Sequence, residues 1–216
     1  MTAALEPDLA RHRTAITTLG RDLRALVDAA VASTAPPETL HRVAAAVRDL
    51  TARFTGPRRA PAEIPSVDEF PGTVRMFSPV IGEGNPLAPP VRLAREGDGV
   101  VGLCTLGLVH EGPPGYGHGG FTAMLLDEVM GHACVAAGHP GMTVSLTTRY
   151  HRPVPLETPL RVHARVTGVD GRKVFVTGTV STAEDPATPL ADGEAVFVTP
   201  GPDRARAMFP HLRADR

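Results

Sequence analysis

Apolar residues along the first part of the chain recur at spacings of three and four. In LARHRTAITTLGRDLRALVDAAVAS, Leu19, Leu23, Leu26, Val27 and Ala30 form a helical stripe. TAPPETLHRVAAAVRDLTARF restarts a helix, with Pro37 suited to its first turn and Leu40, Val43, Val47 and Leu50 repeating. GPRRAPAEIPS, residues 56–66, is a proline-rich connector. The pattern predicts a helical extension and linker over residues 1–66 and a second unit over 67–216.

After the connector the period shortens to two. VRLARE (91–96), a GDG turn and VVGLCTLGLVH (100–110) read as a hairpin. Four further runs follow, MTVSLTTRY (142–150), LRVHARVTG (160–168), KVFVTGTVS (173–181) and ADGEAVFVT (191–199). Val162, Ala164 and Val166 alternate with Arg161, His163 and Arg165, as a half-buried strand requires. Asp170-Gly171 is a hairpin turn signal. One helix early in an otherwise antiparallel sheet gives an α+β class. GEGNPLAPPVRL, with Asn85 and its prolines, is expected to lead the chain into that sheet.

The helix in question lies within GYGHGGFTAMLLDEVMG. Over residues 119–137, Phe121, Met124, Leu125, Leu126, Val129, Met130, Ala133 and Cys134 place apolar side chains nearly all round, so the helix is expected to be buried. Burying an acid there costs free energy unless it is hydrogen-bonded or used. Asp127 and Glu128 are the two candidates, and neighbouring helix positions diverge by about 100°, so only one can face a given site. Gly119 and Gly120 stand where the helix begins, and their N–H groups have no partner within it. Such donors suit a negative charge developing on oxygen, with the helix dipole behind them. Asp127 lies about 12 Å further along the axis, too far for one carbonyl to touch both features within one chain, so either the two are unrelated or a second subunit supplies one of them, which argues for a dimer with shared sites.

Composition narrows the function. The 216 residues are 42% apolar with a net charge of -1, which offers no electrostatic case for nucleic acid or an anionic membrane surface. No apolar run reaches membrane-spanning length, and the N-terminus lacks the layout of a secretory signal. Cys104 and Cys134 are too far apart for a metal or redox motif, and as reduced core residues they imply a cytoplasmic protein. His132 and His139 have no carboxylate spaced to complete a metal site, and His132 is expected to be a packed or hydrogen-bonded helix residue. The chain has no G-x-S-x-G elbow, dinucleotide fingerprint or phosphate loop. No metal or cofactor is implied.

EGPPGYGHGGFTAMLLDEVMG, then TTRYHRPVPLETPLRV, then DGRKVF, resembles the PaaI-like hotdog-fold acyl-CoA thioesterases, in the branch that includes the carboxyl-terminal modulator protein. The resemblance covers roughly residues 75–199 and leaves out the helical N-terminal third. It implies a long helix wrapped by an antiparallel sheet, a homodimer or dimer of dimers, and sites across the dimer interface. Carried over, Gly119 donates its N–H to the thioester carbonyl, His118 positions or polarises that oxygen, and Asp127 is base or nucleophile. Thr143 orients the aspartate or its water. The resemblance favours Asp127 over Glu128, and it implies that Arg149, His151, Arg172 and Lys173 meet CoA. EGPPG departs from related enzymes that carry an asparagine before HGG, so water placement here differs or depends on Glu111. Two alternatives stand beside the acyl-CoA thioesterase. One is a non-catalytic acyl-CoA or ligand-binding protein on the same scaffold. The other is a thioesterase for acyl-carrier-protein substrates, docked through Arg149, Arg152 and Arg172.

Overall fold

The computed structural model describes residues 5–61, 63–69 and 74–201. The last stretch of the second predicted unit, 202–216, lies outside the described residues. Six strands form one antiparallel sheet: β1 (Arg92–Glu96), β2 (Gly99–Thr105), β3 (Met142–Tyr150), β4 (Pro159–Asp170), β5 (Lys173–Thr182) and β6 (Ala191–Val198), in the order β1-β2-β4-β5-β6-β3. Two helices precede the sheet, α1 (Leu5–Val31) and α2 (Pro37–Thr51), and α3 (Gly119–Ala136) lies between β2 and β3. The α+β architecture is that of a sheet wrapped around a central helix.

Each predicted strand is present within a residue or two, with one exception. The run 100–110 stays extended only to Thr105, and Leu108–His110 then form a 3₁₀ turn. His110 explains the break. Its ring is buried, Nδ1 accepts the Gly107 N–H at 3.1 Å, and Nε2 donates to the Leu87 carbonyl at 3.1 Å. Those bonds curl the backbone and tie it to the segment leading into β1. In the β4–β5 hairpin, Asp170 pairs with Lys173, so the two turn residues are Gly171, at φ 56°, and Arg172.

The core lies between α3 and one face of the sheet. Leu125, Leu126, Val129, Met130, Ala133 and Cys134 of α3 are buried against Val162 and Ala164 of β4, Val174, Val176 and Val180 of β5, and Ala191, Ala195 and Phe197 of β6. Gly178 and Gly193 sit directly opposite each other on neighbouring strands. A Cβ on Gly178 would meet Met130 Cε at 2.9 Å, and one on Gly193 would meet it at 3.2 Å. The missing side chains form the groove in which α3 rests. The helix ends in a Schellman motif: Gly138 is left-handed at φ 82°, the His139 N–H donates to the Cys134 carbonyl, and the Gly138 N–H donates to that of Val135. Pro140 follows and prevents continuation.

α1 docks on the segment before β1. Arg24 Nη1 donates to the carbonyls of Glu83 and Asn85, Arg13 Nε donates to that of Val67, and Thr17 Oγ1 bonds the Glu83 carboxylate. Asn85 itself turns the chain, accepting from Leu87 N–H and donating to the Phe77 carbonyl. Among the described residues, no helix is long and apolar enough to cross a membrane.

Candidate active site

Two features lie on α3, one at its N-terminus and one about two turns on. At the N-terminus His118 is the N-cap, extended at φ -63° and ψ 133°, and its Nδ1 accepts the Gly120 N–H at 3.0 Å. A neutral imidazole that accepts at Nδ1 carries its proton on Nε2, so His118 presents a donor outward. The His118 carbonyl takes the N–H groups of Phe121 and Thr122. The Gly119 carbonyl takes the Tyr150 hydroxyl at 2.8 Å. No hydrogen bond among the described residues uses the Gly119 N–H. Both peptide planes flanking Gly119 are therefore fixed, and one donor is left over at the positive end of the helix. A Cβ on Gly119 would be in ordinary contact with the Tyr150 ring, 3.5 Å away, so packing within the chain does not demand glycine here.

The second feature is Asp127. Its Oδ1 accepts the Thr143 hydroxyl at 2.7 Å. Glu128 turns away, to His132 at 3.4 Å, so of the two adjacent acids Asp127 is the one bonded to the strand. A β-bulge makes the contact. Leu146, Thr148 and Tyr150 pair with buried Ala195, Gly193 and Ala191 and share their helix-facing side. Strict alternation would put Val144 on that side. The register shift between Thr143 and Ser145 instead sets Thr143 opposite Phe197, so its hydroxyl reaches α3. Val144, the extra residue, is exposed.

The four basic residues divide between the two ends of the sheet. Arg149 pairs across strands with Asp192, and Lys173 with Val198, six residues along β6, which is about 20 Å at ~3.3 Å per residue. Arg149 Nη1 contacts Glu194 at 3.1 Å and Asp192 at 3.6 Å, and His151 Nε2 bonds Asp192 Oδ2. The Glu194 hydrogen bond and charge, with Asp192 adding to them, hold the Arg149 guanidinium above its ordinary value. Arg172 and Lys173 form no salt bridge among the described residues. Glu111 folds back on its own loop, accepting the Gly115 N–H at 2.8 Å. Burial pushes the thiol of Cys104 up to about 12 and that of Cys134 to about 11, so neither is a nucleophile at neutral pH.

Two contributors were not singled out from the sequence. Tyr150 sits inside the TRYHRP motif, and the available signal was an aromatic with a polar tip at a strand end. His110 accepts the His118 N–H on its carbonyl at 2.8 Å and packs edge-on to Phe121, at 4.8 Å and 88°, so it braces the loop that presents the helix start.

Residues 114–188 match the family model of the thioesterase superfamily. A crystal structure of a thioesterase superfamily protein is 35% identical with a TM-score of 0.76, over 85% of this chain and 90% of that one. The chain belongs to the thioesterase superfamily. Among curated members it is similar to acyl-coenzyme A thioesterase THEM4 of Mus musculus, 32% identical over 48% of this chain and 44% of the mouse protein. It is also similar to acyl-coenzyme A thioesterase THEM4 of Xenopus laevis, 36% identical over 35% of this chain and 34% of the frog protein. The matched region spans less than half the length of these superfamily members.

Proposed function

We propose that this chain hydrolyses acyl-CoA thioesters to a carboxylic acid and CoA, in a site built by two copies of the chain. The observation that carries this reading is the pair of half-sites on one helix: a carboxylate held by a threonine, and an unused N–H about 12 Å away at the helix start. Neither is a complete hydrolytic site. β3 is an edge strand, with no strand paired to its outer side among the described residues. A two-fold axis near its middle residue, Leu146, pairs it with its own copy in antiparallel sense and sets Thr143 against the far end of the strand, where Tyr150 holds Gly119. The carboxylate of one copy then meets the helix start of the other.

In this arrangement the Thr143 hydroxyl occupies Oδ1 and leaves Oδ2 to take a proton from water. The water oxygen attacks the thioester carbonyl carbon. The carbonyl oxygen gains negative charge and is held by the Gly119 N–H, with His118 Nε2–H as a second donor. Collapse of the tetrahedral species breaks the carbon–sulfur bond. The departing thiolate recovers the proton from Asp127, and the carboxylate is restored. The same two-fold brings the Arg172 and Lys173 end of one copy beside the Arg149 and His151 end of the other. Arg172 and Lys173 are the better phosphate ligands of the four, since Arg149 and His151 are already bonded to acids. The hotdog unit over 67–216 carries all of this chemistry, and unpaired Cys104 and Cys134 support a reducing, cytoplasmic setting.

The test is thiol release from a series of acyl-CoAs, acetyl to palmitoyl and aromatic. Turnover at some chain length is expected, and Asp127→Asn is expected to lower it about 10²–10⁴-fold, the range for removal of a general base. An Asp127→Asn protein with full turnover sinks the assignment of the base. Binding of acyl-CoA without any thiol release by wild type sinks the hydrolase.

A further inference from the structure

α1 has no place in the proposed reaction, yet an unbroken series of hydrogen bonds runs from it to the residues that present Gly119. The series begins at Arg24, whose Nη1 donates to the carbonyls of Glu83 at 2.8 Å and Asn85 at 3.0 Å. The Asn85 carbonyl also takes the Ala88 N–H at 3.2 Å. That N–H belongs to the same planar peptide unit as the Leu87 carbonyl. The Leu87 carbonyl in turn accepts His110 Nε2–H at 3.1 Å. The His110 carbonyl accepts the His118 N–H at 2.8 Å, and His118 Nδ1 accepts the Gly120 N–H at 3.0 Å. Gly119 lies between those last two residues.

Two properties let this series transmit a displacement. Its connecting segment is stiff: Pro86, Pro89 and Pro90 have φ fixed by their rings, and Asn85 Oδ1 holds the Leu87 N–H at 2.9 Å. A shift at Asn85 therefore carries Leu87 with it. Its middle is also dry. Ala88 and His110 are 1% and 4% exposed, so water does not replace these bonds when they lengthen. α1 reaches the 3₁₀ turn directly as well, with Asp28 Oδ1 3.8 Å from where a Cβ on Gly107 would stand. Arg24 forms no salt bridge among the described residues, so its charge is directed at the two carbonyls.

We propose that Arg24 is a positioning residue for the candidate active site: through Asn85, Leu87 and His110, α1 sets the place of the Gly119 N–H. The proposal rests on the reading of Gly119 as the oxyanion donor, and it makes the N-terminal helix a working part of that site.

The experiment compares the full chain with its Arg24→Met and Arg24→Lys variants. Methionine keeps much of the length and loses the donors, whereas lysine offers one cationic nitrogen to both carbonyls, as Nη1 does now. Two quantities are read: amide hydrogen exchange residue by residue, without substrate, and saturation curves for thiol release from the best acyl-CoA. Arg24→Met is expected to quicken exchange at His118 several-fold, while Val129 and Met130 in the middle of α3 change far less. It is expected to lower kcat about 2–10-fold with KM almost unchanged, no more than the loss of one hydrogen bond in the series would cause. Arg24→Lys is expected to recover most of both. Unchanged exchange at His118 overturns the proposal. So does a quickening that reaches Val129 and Met130 equally, which marks a general loss of stability. Quickened exchange at His118 with unchanged kcat overturns it too, because α1 would then not govern the donor. If wild type releases no thiol, the hydrolase reading fails on its own, and exchange at His118 still decides whether α1 holds the helix start.

Discussion

Tyr150 shows how much of the candidate site depends on single hydrogen bonds. Gly119 has the freest backbone of any residue, and under the proposed mechanism its N–H must stay in place to meet a developing charge. The chain restrains it from both sides: the Gly119 carbonyl is held by Tyr150 and the following N–H by His118 Nδ1. Tyr150→Phe removes the first restraint and keeps the ring. A hydrogen bond of this kind is worth roughly 0.5–1.5 kcal/mol, so kcat is expected to fall about 2–13-fold with KM almost unchanged. The measurement is a full saturation curve on the best acyl-CoA, beside a thermal melt. A rise in KM at constant kcat would assign Tyr150 to substrate binding instead. Asp127 is a contrasting case. Its identity as the strand-bonded acid rests on one contact, and nothing in the spacing of Asp127 and Glu128 along the helix could decide it.

At the scale of elements, packing is governed by where side chains are missing. A Cβ on Gly20 of α1 would lie 2.1 Å from the Glu83 carbonyl oxygen and 2.7 Å from Gly84 Cα, both backbone atoms that cannot swing aside. Gly20→Ala is expected to lift α1 from its seat at a cost of about 1–3 kcal/mol, the range for overpacking. Trypsin reads this directly at Arg24, whose guanidinium is held by the Glu83 and Asn85 carbonyls. Cleavage there is expected to quicken several-fold, and an unchanged rate would mean that α1 is seated by its other contacts. Elements of this kind were largely legible beforehand. Strand alternation marks which face is buried, and that is a local property of β4, β5 and β6. The apolar circumference of α3 marks a helix enclosed by something. What stayed hidden depends on partners distant in sequence. Thr143, Val144 and Ser145 are all compatible with a strand, and only pairing with Phe197 and Val196 reveals that a bulge turns Thr143 towards Asp127. The 3₁₀ turn at Leu108–His110 hangs on a carbonyl at Leu87, more than twenty residues away.

For the whole molecule, the decisive question is whether one chain or two builds a site. Two lesions separate the possibilities. Asp127→Asn removes the proposed base. Gly119→Pro removes the N–H donor, and it suits the backbone: Gly119 is the first helical residue, where proline is favoured, and His118 before it is already extended at φ -63° and ψ 133°. Each protein alone is expected to be nearly inactive. Mixed in equal amounts and allowed to exchange subunits, they form the hybrid as about half of all dimers. If a site takes Asp127 from one copy and Gly119 from the other, the hybrid has one site with both lesions and one with neither. Activity is then expected to return to about a quarter of the wild-type level, since only half the dimers hold an intact site and each of those holds one of two. If one chain supplies both groups, every site in the mixture carries a lesion and activity stays at the level of the separate proteins. The helix geometry favours recovery, because about 12 Å along α3 separates the two groups within a chain and no single thioester carbonyl spans that distance.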